Sequence, residues 1–219
     1  MDSLLRFLQS SIGKKLVMAV TGLVLFGFVF VHMLGNLQAY GPPSKLDEYG
    51  ALLRKAPALL WGARLVLLGS VVAHAWTAWS LTRQDWAARG VGYRQRNDYK
   101  STYASHFLRW GGVTLALFIV YHILHLTTGT LAPAGFEHGA VHANFVAGFK
   151  VPLISAFYVL AMCARGLHLY HGVWSLTQTL GLDHPRYNPL RRGAAGAFAG
   201  LITVVNISFP VAVLAGIIR

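Results

Sequence analysis

Apolar positions run through this chain in long blocks rather than alternating with polar ones. Residues 16–44, 65–82, 110–136 and 193–218 contain no Asp, Glu, Lys or Arg, and 151–182 contains only Arg165. Crossing a hydrocarbon core takes about 20 helical residues. A backbone in lipid must satisfy its own hydrogen bonds, which leaves helices as the structure for runs of this length. The pattern predicts an all-α membrane protein, a bundle of five transmembrane helices over residues 15–38, 58–82, 107–130, 149–180 and 195–218, forming one domain across 1–219. No internal repeat is evident, and the four connections are too short for a separate soluble domain. The first apolar run follows Lys14 and Lys15 directly and is too long for the apolar region of a signal peptide.

Composition sharpens the class. Of 219 residues, 55% are hydrophobic and 12% charged, against about 25% charged in an average soluble domain. A soluble enzyme is excluded, because it would expose most of that apolar surface to water. The net charge of +12 raises nucleic acid as a partner. The basic residues, however, fall in short blocks between apolar runs, which is the pattern of a membrane protein facing lipid. The single cysteine, Cys163, excludes a disulfide framework, a Cys-rich zinc site and a ligated iron–sulfur cluster. There is no CxxCH for covalent haem attachment.

Basic residues also orient the bundle. Five helices put the termini on opposite sides. The N-terminus, the second connection (Arg83, Arg89, Arg94, Arg96, Lys100, Arg109) and the fourth (Arg186, Arg191, Arg192) carry twelve Lys and Arg, against six on the other side. The excess places the N-terminus in the cytoplasm and the C-terminus outside.

Six of the ten histidines lie within the spans: His32, His74, His122, His125, His168 and His171. A buried ionisable residue in a membrane marks a functional site by default, although a single histidine is equally well a neutral packing residue. At about 1.5 Å rise per residue, His32 and His122 lie roughly 25 and 23 Å from the cytoplasmic ends of their helices. His74 and His168 lie roughly 12 and 18 Å from theirs. The four divide into an outer pair, His32 with His122, and an inner pair, His74 with His168. Two such pairs suit two stacked b-type haems, each iron closed by two histidines and fitted for electron transfer. His125 and His171 follow His122 and His168 by three residues on the same helix face, and depth alone leaves either member of each couple as the ligand.

At these residues the chain resembles the cytochrome b subunit (b558-type) of succinate:quinone oxidoreductases, the succinate dehydrogenases and fumarate reductases with a single five-helix, dihaem anchor. The resemblance covers essentially the whole chain. It is carried by FVFVHMLGN around His32, VVAHAWTAW around His74, FIVYHILHLTTG around His122 and GLHLYHGVWSLTQTLG around His168, in that order. The family pattern favours Tyr121-His122 over His125. It also favours His168, with Gly172 and Trp174 after it, over His171. It implies two haem b groups, an iron–sulfur and a flavoprotein subunit as partners, and a quinone, usually menaquinone, as the electron-exchanging substrate. It also implies a place in the bacterial cytoplasmic (inner) membrane. The succinate site would lie on the flavoprotein, and the basic second and fourth connections would dock the iron–sulfur subunit. Some members carry a glutamate two residues before the fourth ligand. Here that position is Gly166, and no Asp or Glu lies inside any span.

Arg165 is the one charge deep in a span. Left unpaired there it costs about 2.5–3.5 kcal/mol on insertion scales. A haem propionate is its natural partner, with snorkelling or capping of a backbone carbonyl as the plainer reading. For a quinone, candidate donors near the outer level are Gln38, Glu48 and His125, with Asn36, Tyr40, Asp47 and Arg64 nearby. Glu48 reads equally well as a solvated loop carboxylate. Two other functional classes fit the same pattern less fully. One is the cytochrome b anchor of a hydrogenase, formate dehydrogenase or nitrate reductase. The other is a non-redox membrane anchor or transporter whose histidines only pack.

Overall fold

The computed structural model describes residues 2–88, 103–133 and 135–219, and the side chains of 103–107 are not among those described. Arg89, Arg94, Arg96 and Lys100 of the second connection lie outside the described residues. Five helices are long and apolar enough to cross a membrane. They are α2 (Ser11–Asn36), α4 (Pro57–Ala87), α5 (Tyr103–Leu126), α7 (Pro152–Thr179) and α8 (Asn188–Leu214). Three short helices accompany them: α1 (Asp2–Gln9), α3 (Pro43–Arg54) and α6 (Val141–Phe149), with a 3-10 turn over Leu37–Tyr40 closing α2. Among the described residues there is no strand.

The ends of the spans differ from those expected, for local reasons. α2 begins at Ser11 because Ser10 caps it, its hydroxyl accepting from Gly13 N at 3.1 Å. α4 runs on past Arg83 and Asp85 to Ala87; charges at a membrane surface do not end a helix. α5 stops at Leu126, four residues short of expectation, because the chain turns through Gly129 at φ 74°. The span expected over 149–180 is one helix that begins three residues later, behind a separate short helix. α6 ends at Phe149, and α7 restarts with Pro152 in its first turn, where the missing N–H costs nothing. α8 starts at Asn188, with Pro189 inside its first turn, and so includes Arg191 and Arg192.

Most large apolar side chains face outward, among them Leu59, Trp61, Leu65, Leu117, Leu153 and Leu160. In water that surface would drive aggregation; in lipid it is the solvent-facing side. The tight core gathers instead at the end of the bundle where α3 and α6 lie. Phe118, Phe145, Phe149, Tyr158, Phe209 and Val213 pack there in one cluster. Asp47 of α3 accepts from the backbone N–H of His142 at 2.8 Å and so caps the first turn of α6. Tyr40 donates to Ser208 of α8 at 2.7 Å.

The α7–α8 contact rests on small residues. Ala195, Ala199 and Ile202 are buried against α7 or its neighbours. A Cβ on Gly166 would overlap the Thr203 hydroxyl. The position where the resembled family sometimes carries a glutamate is therefore spent on close helix approach. Gly166→Ala is expected to destabilise the bundle by about 1–3 kcal/mol through overpacking, and Thr203→Ala in the same chain to recover most of it. Reversible denaturation in mixed micelles reads both.

Candidate functional site

The structure brings the span histidines together two by two. The rings of His32 on α2 and His122 on α5 have centres 5.9 Å apart, at 85° to each other. Those of His74 on α4 and His168 on α7 have centres 6.2 Å apart, at 62°. Measured from the ends that α2, α4, α5 and α7 share, His32 and His122 sit about 32 and 28 Å along their helices, and His74 and His168 about 20 and 17 Å. The observed helix ends bring His74 and His168 closer in depth than the sequence estimate did, and leave His32 and His122 within one helical turn of each other. Each pair thus bridges two different helices, at two separate levels.

The spacing has a chemical meaning. An imidazole nitrogen lies about 1.1 Å from the ring centre and a metal–nitrogen bond is about 2.0 Å, so two imidazoles on opposite sides of one metal hold their centres about 6 Å apart. Among the described residues no group of three or more His, Cys, Asp or Glu converges. A bare metal ion asks for three or four protein ligands. Two imidazoles per level fit a metal that arrives with its own planar ligand, as haem iron does.

The neighbours of each ring bear on that fit. His74 Nδ1 lies 3.2 Å from both the Thr21 hydroxyl and the Met18 carbonyl. That contact settles the proton on Nδ1 and leaves Nε2 as the lone-pair nitrogen. Gly22 faces the same ring, and a Cβ there would stand 3.4 Å from it. His122 Nδ1 is 3.3 Å from the Tyr158 hydroxyl. His32 stacks on Phe28, and its Nε2 is 3.3 Å from the Asn36 amide. His168 Nδ1 is buried with no hydrogen-bond partner.

The two neighbouring histidines behave differently. His125 is only 1% exposed and packs against Phe149, Tyr158 and Tyr121 under α6, and its ring is paired with no second histidine ring. A Cβ on Gly148 would come 2.5 Å from its Nε2, so a quinone ring has no way to that atom without displacing α6. His171 is half-buried on α7 and joins neither pair.

Arg165 donates from one terminal nitrogen to the Ile202 carbonyl at 3.3 Å, while its Nε is buried without a partner. A guanidinium with a donor left over in a low-dielectric interior still lacks an acceptor. Of the residues considered for a quinone, Tyr40 and Asp47 are held by the structural contacts above. Arg64 lies over Trp61 at 4.9 Å. Glu48 is exposed on α3 and Gln38 half-buried in the 3-10 turn, and among the described residues no hydrogen bond joins either to His125. At the opposite end Arg191 is engaged by Asp183 at 3.1 Å, Asn188 at 2.6 Å and the Thr177 hydroxyl. Arg191 and Arg192 both stack on Trp174, at 4.9 and 4.5 Å.

Sequence reasoning missed Tyr158 and Thr21, which orient the rings. Neither is polar enough within an apolar run to stand out. Comparison with family models, curated proteins and solved structures finds no match for this chain. Asp47→Ala, which uncaps α6, is expected to cost about 1 kcal/mol and to speed amide exchange at residues 141–144. Hydrogen–deuterium exchange in detergent checks it, with the first turn of α7 as the unchanged reference.

Proposed function

We propose that this chain is the membrane anchor and electron-transfer subunit of a succinate dehydrogenase or fumarate reductase complex. It would carry electrons between an iron–sulfur subunit and a quinone, of the menaquinone type by resemblance, through two b haems each held by two histidines. The observation that carries this reading is the meeting of four histidines from four helices in two pairs, each near 6 Å between ring centres. His32 and His122 would hold one group, His74 and His168 the other. Haem iron with both axial positions closed supplies one-electron transfer and offers no open site to oxygen.

The chain's own residues do the rest. Thr21 and the Met18 carbonyl orient His74. Arg165, with an unpartnered donor, is suited to a propionate. The excess of Lys and Arg on the N-terminal side supports a cytoplasmic N-terminus and docking of the iron–sulfur and flavoprotein subunits there. Arg191 and Arg192 are engaged within the chain, and Arg109 pairs with Asp85 at 3.6 Å, so that docking would draw on the second and fourth connections together. Glu48 and Gln38 remain the candidate quinone contacts at the other end; sealed under α6, His125 fits that role poorly.

Purified protein is expected to contain two haem b per chain by pyridine haemochrome assay. His74→Ala and His168→Ala should each lose one spectral component, and His32→Ala and His122→Ala the other. One haem or none overturns the reading, and co-purification of a hydrogenase or formate dehydrogenase in place of flavin and iron–sulfur subunits reassigns the complex. Arg165→Leu should fold at least as well, since it removes a charge costing about 2.5–3.5 kcal/mol. It should also lower the midpoint potential of one haem, because positive charge near an iron favours the reduced state. Redox titration of the variant measures this, and two unchanged potentials would rule out the propionate contact.

A further inference from the structure

One phenol serves two histidines. The Tyr158 hydroxyl lies 2.9 Å from His125 Nδ1 and 3.3 Å from His122 Nδ1. A neutral imidazole carries one N–H, and a phenol has one proton to give and lone pairs to receive. Tyr158 can donate to only one of the two rings. The other ring must donate to it. Two directions are open: His122 to Tyr158 to His125, or the reverse.

The surroundings of the two Nε2 atoms separate these directions. His125 Nε2 is buried, has no hydrogen-bond partner and abuts the backbone of Gly148. Nothing larger than a hydrogen fits there. His122, by contrast, turns its ring edge-on to His32. Coordination through His122 Nε2 requires the His122 proton to sit on Nδ1. Tyr158 then receives that proton's hydrogen bond and gives its own to His125.

We propose that Tyr158 is a positioning residue for the His32/His122 level, and that the sequence His122 Nδ1–H to Tyr158 to His125 selects His122 as the ligand and sets the electron-donating strength of its imidazole. The inference rests on the haem reading above and deepens it. An acceptor on the far nitrogen makes a ligating imidazole more basic and favours the oxidised metal. His125, three residues from the ligand and on the same face, is then the outer end of the device. Its burial under α6 keeps water from competing for the phenol.

Tyr158→Phe removes one oxygen and keeps the ring that packs on Phe118, Phe149 and Tyr121. With two haems still present, redox titration should show the midpoint of one haem raised and the other unmoved. At the wild-type midpoint the reduced-to-oxidised ratio of that haem should rise roughly ten-fold, about 59 mV for a one-electron couple. The haem that moves should be the one lost in His122→Ala. His125→Phe, which leaves the phenol in place, should move the same haem in the same direction by less. Two haems with unchanged potentials in Tyr158→Phe overturn this inference and leave the dihaem reading standing; wild-type protein without haem overturns the dihaem reading itself. If Tyr158→Phe loses the haem outright, His125→Phe decides, an upward shift supporting the relay and an unchanged potential overturning it.

Discussion

Hydrocarbon gives a polar side chain no partner, and the interior of this bundle is arranged around where its few polar side chains find one. The spans hold four paired histidines, a fifth and sixth beside them, one arginine and scattered hydroxyls. Hydroxyls such as those of Thr21 and Thr77 close on a carbonyl of their own helix or on a histidine, and Ser155 closes on the Phe149 carbonyl of α6. His32 meets Asn36 on its own helix, and the four paired rings reach across to other helices. The rings join α2 to α5 at one level and α4 to α7 at another, in a bundle whose main helix contacts are α2 with α4, α5 with α7 and α7 with α8. Among the described residues His168 Nδ1, Arg165 Nε and His125 Nε2 are buried without a hydrogen-bond partner.

The two ends of the bundle are built on different principles. At the α3 and α6 end the chain encloses itself, with aromatic rings interlocked at 4.8–6.4 Å and two short helices tied across the spans. At the other end, cations are held by stacking and hydrogen bonds near the surface, around Trp174 and between Arg109 and Asp85 at 3.6 Å. A closed end limits what can enter.

The five spans were legible because lipid enforces long uncharged runs, and which rings meet was legible because helical rise converts position into depth. Helix ends were not. Absence of charge marks where a helix is in hydrocarbon, not where it stops, and α4 and α8 run one to two turns beyond their uncharged runs. α3 and α6 escaped notice because a helix of 9 to 12 residues lying among larger ones carries little periodic signal of its own. Tyr158 and Asp47 escaped for another reason. Their roles exist only once α7 and α5, or α3 and α6, are side by side, and no local pattern records that.

The Gly166–Thr203 contact has an evolutionary side. Because α7 and α8 meet there with no clearance, the two positions are not free to drift separately. A lineage that gains a carboxylate at 166 must first shrink or redirect the residue at 203, or let the helices part and loosen the backing of Arg165 on the Ile202 carbonyl. An acid at mid-membrane is thus closed to this chain by geometry before it is closed by the cost of burying charge, and the order in which two substitutions could arrive is set by a single threonine.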